Sequence, residues 1–129
     1  MSTRTASIDL PPSPISVPTA RHLVDDLLRS WHVPHDRYDA ALLVTELVAN
    51  VVDHSASTTN FTLELTVSEG RLRISVADGS SIQPIVRELS QDRPRGRGMF
   101  MVQAIADCWG SEEHHGGKRV WFELRPSAV

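Results

Sequence analysis

Glu46 and Asn50 stand four residues apart inside AALLVTELVANVV, a stretch that is otherwise almost wholly apolar, and Asp53 continues the same side. On a helix, residues three and four apart are neighbours, so the three polar groups would line one stripe. A carboxylate and an amide in apolar surroundings need partners, because an unpaired buried polar group costs on the order of 1–3 kcal/mol. A hard cation bridged to phosphate oxygens would supply them. Asn50 offers a carbonyl oxygen for the cation, and Glu46 can orient a water or accept a proton. The same stripe also fits the solvated edge of an amphipathic helix, and spacing alone leaves both readings open.

Asp78 and Gly79 form a second candidate pair at the end of an apolar run, ISVADG. Most acid–glycine pairs are simply turns. The functional reading is that Asp78 accepts a hydrogen bond from a ligand amino group while Gly79 lets a flat ring approach the backbone. A third group is Gly96-Arg97-Gly98-Met99, just before a helical pattern. Glycines there permit close approach, and the free amides of a helix start favour anions, so the segment suits phosphate. A hinge before a helix is the plainer alternative. A dinucleotide-binding turn would need a strand directly before the glycines, and the preceding residues, Arg87 to Arg95, are polar and include Pro94. Arg87, Arg93, Arg95 and Arg97 fit a lid that neutralises phosphate or a merely solvated loop. His114 and His115 are adjacent on an expected strand, would point to opposite faces, and are assigned no role.

These groups need elements to hold them. Ala6 to Leu10 reads as a short edge strand stopped by Pro11, Pro12 and Pro14. A first helix begins near Pro18, carries Ala20, Leu23, Val24, Leu27, Leu28 and Trp31 on one face, and ends at His32 to Pro34. The second, from about Asp36 to Asp53, is apolar nearly all round and is therefore expected at the centre. Asn60 to Val67 and Arg71 to Asp78 alternate as strands about a Ser68-Glu69-Gly70 turn. Gly79 to Arg97 reads as a long loop, and loops of that length in compact domains are usually functional or disordered. From Gly98, MFMVQAIADCW returns to helical spacing, with Met99, Val102, Ile105, Ala106 and Trp109 on one face. A last hairpin spans Gly110 to His115 and Lys118 to Leu124, turned by Gly116-Gly117. The order β, α, α, β, β, loop, α, β, β predicts an α+β fold, a layer of helices on one face of a mainly antiparallel sheet.

The 129 residues fit one domain, 1–129, and the net charge of −3 argues against a mainly electrostatic grip on nucleic acid. Cys108 is the only cysteine, which excludes an intramolecular disulfide and a multi-thiolate metal site. No stretch approaches the roughly 20 apolar residues that span a bilayer, and the N-terminus lacks the apolar core of a signal peptide. The expectation is a soluble, cytoplasmic protein without a membrane contact.

Taken in order, TELVANVVDH (45–54), SVADGSS (75–81), RGRGMFMVQAIADCWG (95–110) and GGKRVWFEL (116–124) resemble the bacterial anti-sigma-factor serine kinase family. Its ATPase domain has the fold shared by gyrase, heat-shock chaperones, histidine kinases and mismatch-repair proteins (GHKL, or Bergerat), a two-layer α/β sandwich. The resemblance runs over nearly the whole chain. It implies ATP with Mg2+ as ligand, Glu46 as general base, Asn50 as magnesium ligand and Asp78, with Gly79 beside it, as reader of the adenine amino group. Gly96, Arg97, Gly98 and Met99 would match the second glycine box at the phosphates. It also implies a sigma factor and an anti-sigma antagonist as partners, with a homodimer left open. The sequence departs from that pattern at Ser80-Ser81, where a second glycine is usual, and at Asp53, where histidine kinases carry a lysine. It departs again at Arg119, where a threonine commonly supports the aspartate. The competing expectation is a nucleotide-dependent binding module without catalysis. A sensor histidine kinase is not expected, since no helix offers a dimerisation and phosphoacceptor segment.

Overall fold

Apolar residues recurring every three to four positions in two segments, and every second position in four others, give the fold its two layers. A computed structural model describes residues 3–54, 59–78, 105–114 and 117–126, with only the backbone of His54 and His114. The elements are β1 (Arg4–Leu10), α1 (Ser16–Ser30), α2 (Arg37–His54), β2 (Phe61–Ser68), β3 (Arg71–Asp78), β4 (Cys108–His114) and β5 (Gly117–Leu124). The strands form one sheet in the order β1-β2-β3-β5-β4, antiparallel at every pairing. Helix α1 packs on α2, and α2 lies on β3 and β5.

Local chemistry sets the boundaries. Helix α1 starts at Ser16, two residues before Pro18, whose missing N–H falls within the first turn and costs no ladder bond. Buried Ser16 donates through Oγ to the Pro11 carbonyl at 2.6 Å, pinning the proline segment to the helix start. At the other end His32 adopts φ 54°. Its N–H reaches the Arg29 carbonyl at 3.1 Å and that of Val33 reaches Leu28 at 3.4 Å, a Schellman closure. Asp36 caps α2, its Oδ1 accepting from the N–H groups of Tyr38 (2.9 Å) and Asp39 (3.0 Å). The β2–β3 hairpin turns through Glu69 (φ 53°) and Gly70 (φ 79°), the two positive values a two-residue type I′ turn requires. Buried His35 ties the α1–α2 connection to that turn, with its Nε2 2.9 Å from the Gly70 carbonyl.

The core sits between the layers. Ala20, Val24 and Leu28 of α1 meet Ala40, Leu43, Val44, Leu47, Val48 and Val51 of α2 over the inner face of the sheet. That face carries Phe61, Leu63 and Leu65, then Leu72, Ile74 and Val76, then Val120, Phe122 and Leu124. The near-continuous apolar run of α2 thus serves its contacts with both α1 and the sheet, as its composition predicts.

The sequence-based boundary fails at the third helix. Ile105 is helical, but Ala106 and Asp107 bend and Cys108 and Trp109 already belong to β4, opposite Glu123 and Phe122. Trp109 therefore packs on the core from a strand and not from a helix face. Cross-strand pairing with β5 overrides a three-to-four-residue spacing that the segment also satisfies.

Candidate functional site

Glu46 and Asn50 are half-buried on α2, flanked by the fully buried Leu47, Val48 and Ala49, and Asp53 is exposed one turn further on. Glu46 and Asp53 both make polar interactions. The stripe is therefore neither a solvated edge throughout nor part of the core. It runs along a helix that also packs on the sheet and on α1, and its exposure rises toward Asp53.

Asp78 closes β3, half-buried, and pairs in register with Lys118 at the start of β5. Residues opposite each other in an antiparallel pair share a face. The row continues as Val76–Val120, Ile74–Phe122 and Leu72–Leu124, all core pairs, so Asp78 and Lys118 stand on the helix-covered side of the sheet. Lys118 is only 7% exposed. Burial holds its amine below the ordinary lysine range, and the Asp78 carboxylate acts against that by favouring the ammonium. Glu113 of β4 stands opposite Lys118 on its other side, so the row at this end of the sheet is acid, ammonium, acid.

Lys118 was not among the residues singled out from the sequence. The signal was present: in KRVWFEL, Lys118 is in phase with Val120, Phe122 and Leu124, and period-two alternation alone puts it on the core face. Arg119, which holds the position expected to support Asp78, is opposite Ala77 on the outer face and pairs with Glu112 at 3.7 Å. The neighbour of Asp78 is the lysine.

The structure therefore brings Asp78 and the buried ammonium together, and places the helix of Glu46 and Asn50 over the strands that carry them. Gly79, Gly96, Arg97, Gly98 and Met99 lie outside the described residues, as do the expected loop and most of the third helix.

The outer face of the sheet has a separate polar cluster. Glu123 takes Arg73 Nε at 2.8 Å, Arg71 at 3.6 Å and the Cys108 thiol at 3.2 Å. Arg73 also lies 4.2 Å from the centre of the Trp121 ring. Burial alone would raise the Glu123 pKa, but the thiol hydrogen bond and the two guanidinium groups outweigh it and hold the carboxyl below its ordinary range. The Cys108 thiol is pushed up, first by its hydrogen bond to Glu123.

The residues present fit a nucleotide. A carboxylate at a strand end suits an exocyclic amino group, and the half-buried amide of Asn50 suits a hard cation. Among the described residues no group of three or more histidine, cysteine or acidic side chains could hold a metal by itself. A cation shared with phosphate oxygens is the arrangement such a donor set supports.

Comparison with known proteins agrees with this geometry. The family model of the histidine kinase-like ATPase domain matches residues 10–124, and the chain belongs to that family. Among solved structures it is similar to the nucleotide-free catalytic domain of the histidine kinase ThkA, with a TM-score of 0.52 and 18% identity over 95% of this chain and 96% of that one. At that identity the likeness concerns the fold, which is the two-layer α+β arrangement expected from the sequence. No curated protein matches the chain. No helix among the described residues is long and apolar enough to cross a membrane.

Proposed function

We propose that this chain binds ATP with Mg2+ and acts in bacterial transcriptional control as a protein serine/threonine kinase, phosphorylating an anti-sigma antagonist and sequestering a sigma factor. The observation that carries the nucleotide part is the placement of Asp78 on the helix-covered face, beside a buried ammonium and beneath the helix of Glu46 and Asn50, in a member of an ATPase-domain family. The four ordered sequence motifs support the anti-sigma part.

In this reading Asp78 accepts from the adenine 6-amino group, and Asn50 presents its Oδ1 to the magnesium ion. Gly79 would leave room for the ring, and Gly96, Arg97, Gly98 and Met99 would meet the phosphates. ATP supplies the phosphoryl group, and the cation offsets its charge. Glu46, half-buried at the edge of the core, takes the proton of the attacking serine hydroxyl. The partner would meet outer surfaces such as the cleft between α1 and α2, lined by Arg21, His22, Tyr38 and the Asp25–Arg37 ion pair.

The test is transfer from labelled ATP to antagonist domains encoded near this chain's gene. Replacing Glu46 with glutamine keeps the shape and removes the base, so transfer is expected to fall by about 10²–10⁴-fold while ATP binding survives. A wild type that captures a sigma factor yet labels no antagonist would leave a binding module in place of a kinase. Glu46→Gln transferring at the wild-type rate would remove Glu46 from the role of base.

A further inference from the structure

A charged amine that is 7% exposed is uncommon, and Lys118 is placed there by register at the end of the core face, directly across from Asp78. If the pair served only itself, the fold would bury an ammonium to neutralise one half-buried carboxylate. The donor and acceptor arithmetic leaves capacity for more. An ammonium has three donors and a carboxylate about four acceptor sites, more than their mutual contact alone takes up. Side by side on one face, the two present an acceptor next to a donor. The edge of adenine that bears the 6-amino group presents the complement, a donor next to the N1 acceptor.

We propose that Lys118 is a second base-reading residue, its ammonium donating to purine N1 while Asp78 accepts from the 6-amino group. The inference rests on the nucleotide reading of the site and deepens it. Without such a donor, N1 of a base enclosed against the sheet would be left unpaired, which costs binding. Arg119 cannot take this role because it points to the opposite face and pairs with Glu112. Guanine also offers an edge for an acid and an ammonium, with N1–H and the 2-amino group toward the acid and O6 toward the amine. Base identity is therefore part of the test.

Dissociation constants would be measured by calorimetry for ATP, GTP and 1-deaza-ATP, in which a C–H replaces N1. Hydrogen bonds to charged groups carry enough energy that the wild type is expected to bind 1-deaza-ATP about 10-fold or more weaker than ATP. Lys118→Met, which keeps the apolar stem, is expected to lose a similar factor for ATP and to bind ATP and 1-deaza-ATP alike. The wild-type comparison needs no variant, so a misfolded Lys118→Met would not shield the inference. Equal wild-type affinity for ATP and 1-deaza-ATP overturns it and reduces Lys118 to an ion-pair partner. Discrimination that persists in a folded Lys118→Met also overturns it, as does GTP binding as tightly as ATP with an affinity that Lys118→Met leaves unchanged. If ATP and all analogues fail to bind the wild type, the nucleotide reading falls and takes this inference with it.

Discussion

Glu123 shows how much one register pair can organise. From β5 it draws together Arg71 and Arg73 of β3 and Cys108 of β4 on the outer face, and its side chain is 14% exposed. Because its folded pKa lies below the ordinary value of 4.5, the folded protein keeps the charge while the unfolded chain takes up a proton. The resulting stability is full above that value and lost as pH falls through the folded pKa. Glu123→Gln is expected to flatten the acid limb of stability below about pH 4.5, read from urea midpoints against pH. An unchanged acid limb would show that the cluster does not hold in solution. At this scale Glu46, Asn50 and Asp78 were legible as polar groups out of place in apolar runs. The phase of Lys118 with Val120, Phe122 and Leu124 already puts it on the core face, but its meeting with Asp78 depends on which strand lies across from it, and pairing partners are not written in one segment.

Capping and turn residues made most elements readable in advance. Asp36, the Ser68-Glu69-Gly70 turn and the proline run each act within a few residues, so local sequence determines them. Asp36→Ala is expected to cost about 1 kcal/mol by leaving the first amides of α2 unpaired, measured by chemical denaturation. Gly110 is a tighter constraint. A Cβ there would lie 2.6 Å from Trp121 Cζ2 on β5, so Gly110→Ala must displace the ring on which Arg73 rests. A loss of roughly 1–3 kcal/mol is expected, accompanied by a shift in tryptophan fluorescence. No change in either would mean the ring has room to move. The third helix was overextended into Cys108 and Trp109 for the same reason that the meeting of Lys118 with Asp78 was not legible. An MFMVQAIADCW pattern satisfies helical spacing by itself, and only β5 alongside turns its last residues into strand.

The whole molecule follows from one asymmetry, a sheet apolar on the face under α2 and polar on the other, with its acid–ammonium–acid row at one end of the apolar side. The α+β arrangement was legible because two helical and several strand periods occur in a diagnostic order. The strand order β1-β2-β3-β5-β4 was not, since it depends on the last strand inserting between β3 and β4. The proposed magnesium nucleotide would lie between α2 and the Asp78 end of β3, and thermal unfolding with ATP and Mg2+ reads its binding without any substrate protein. A ligand selective for the folded state at about 100 times its dissociation constant stabilises by about 2.7 kcal/mol. The wild-type midpoint is therefore expected to rise by several degrees in millimolar ATP and magnesium, and Asn50→Ala to lose most of the rise. A wild-type midpoint that does not move under those conditions would mean that the chain does not bind the magnesium nucleotide.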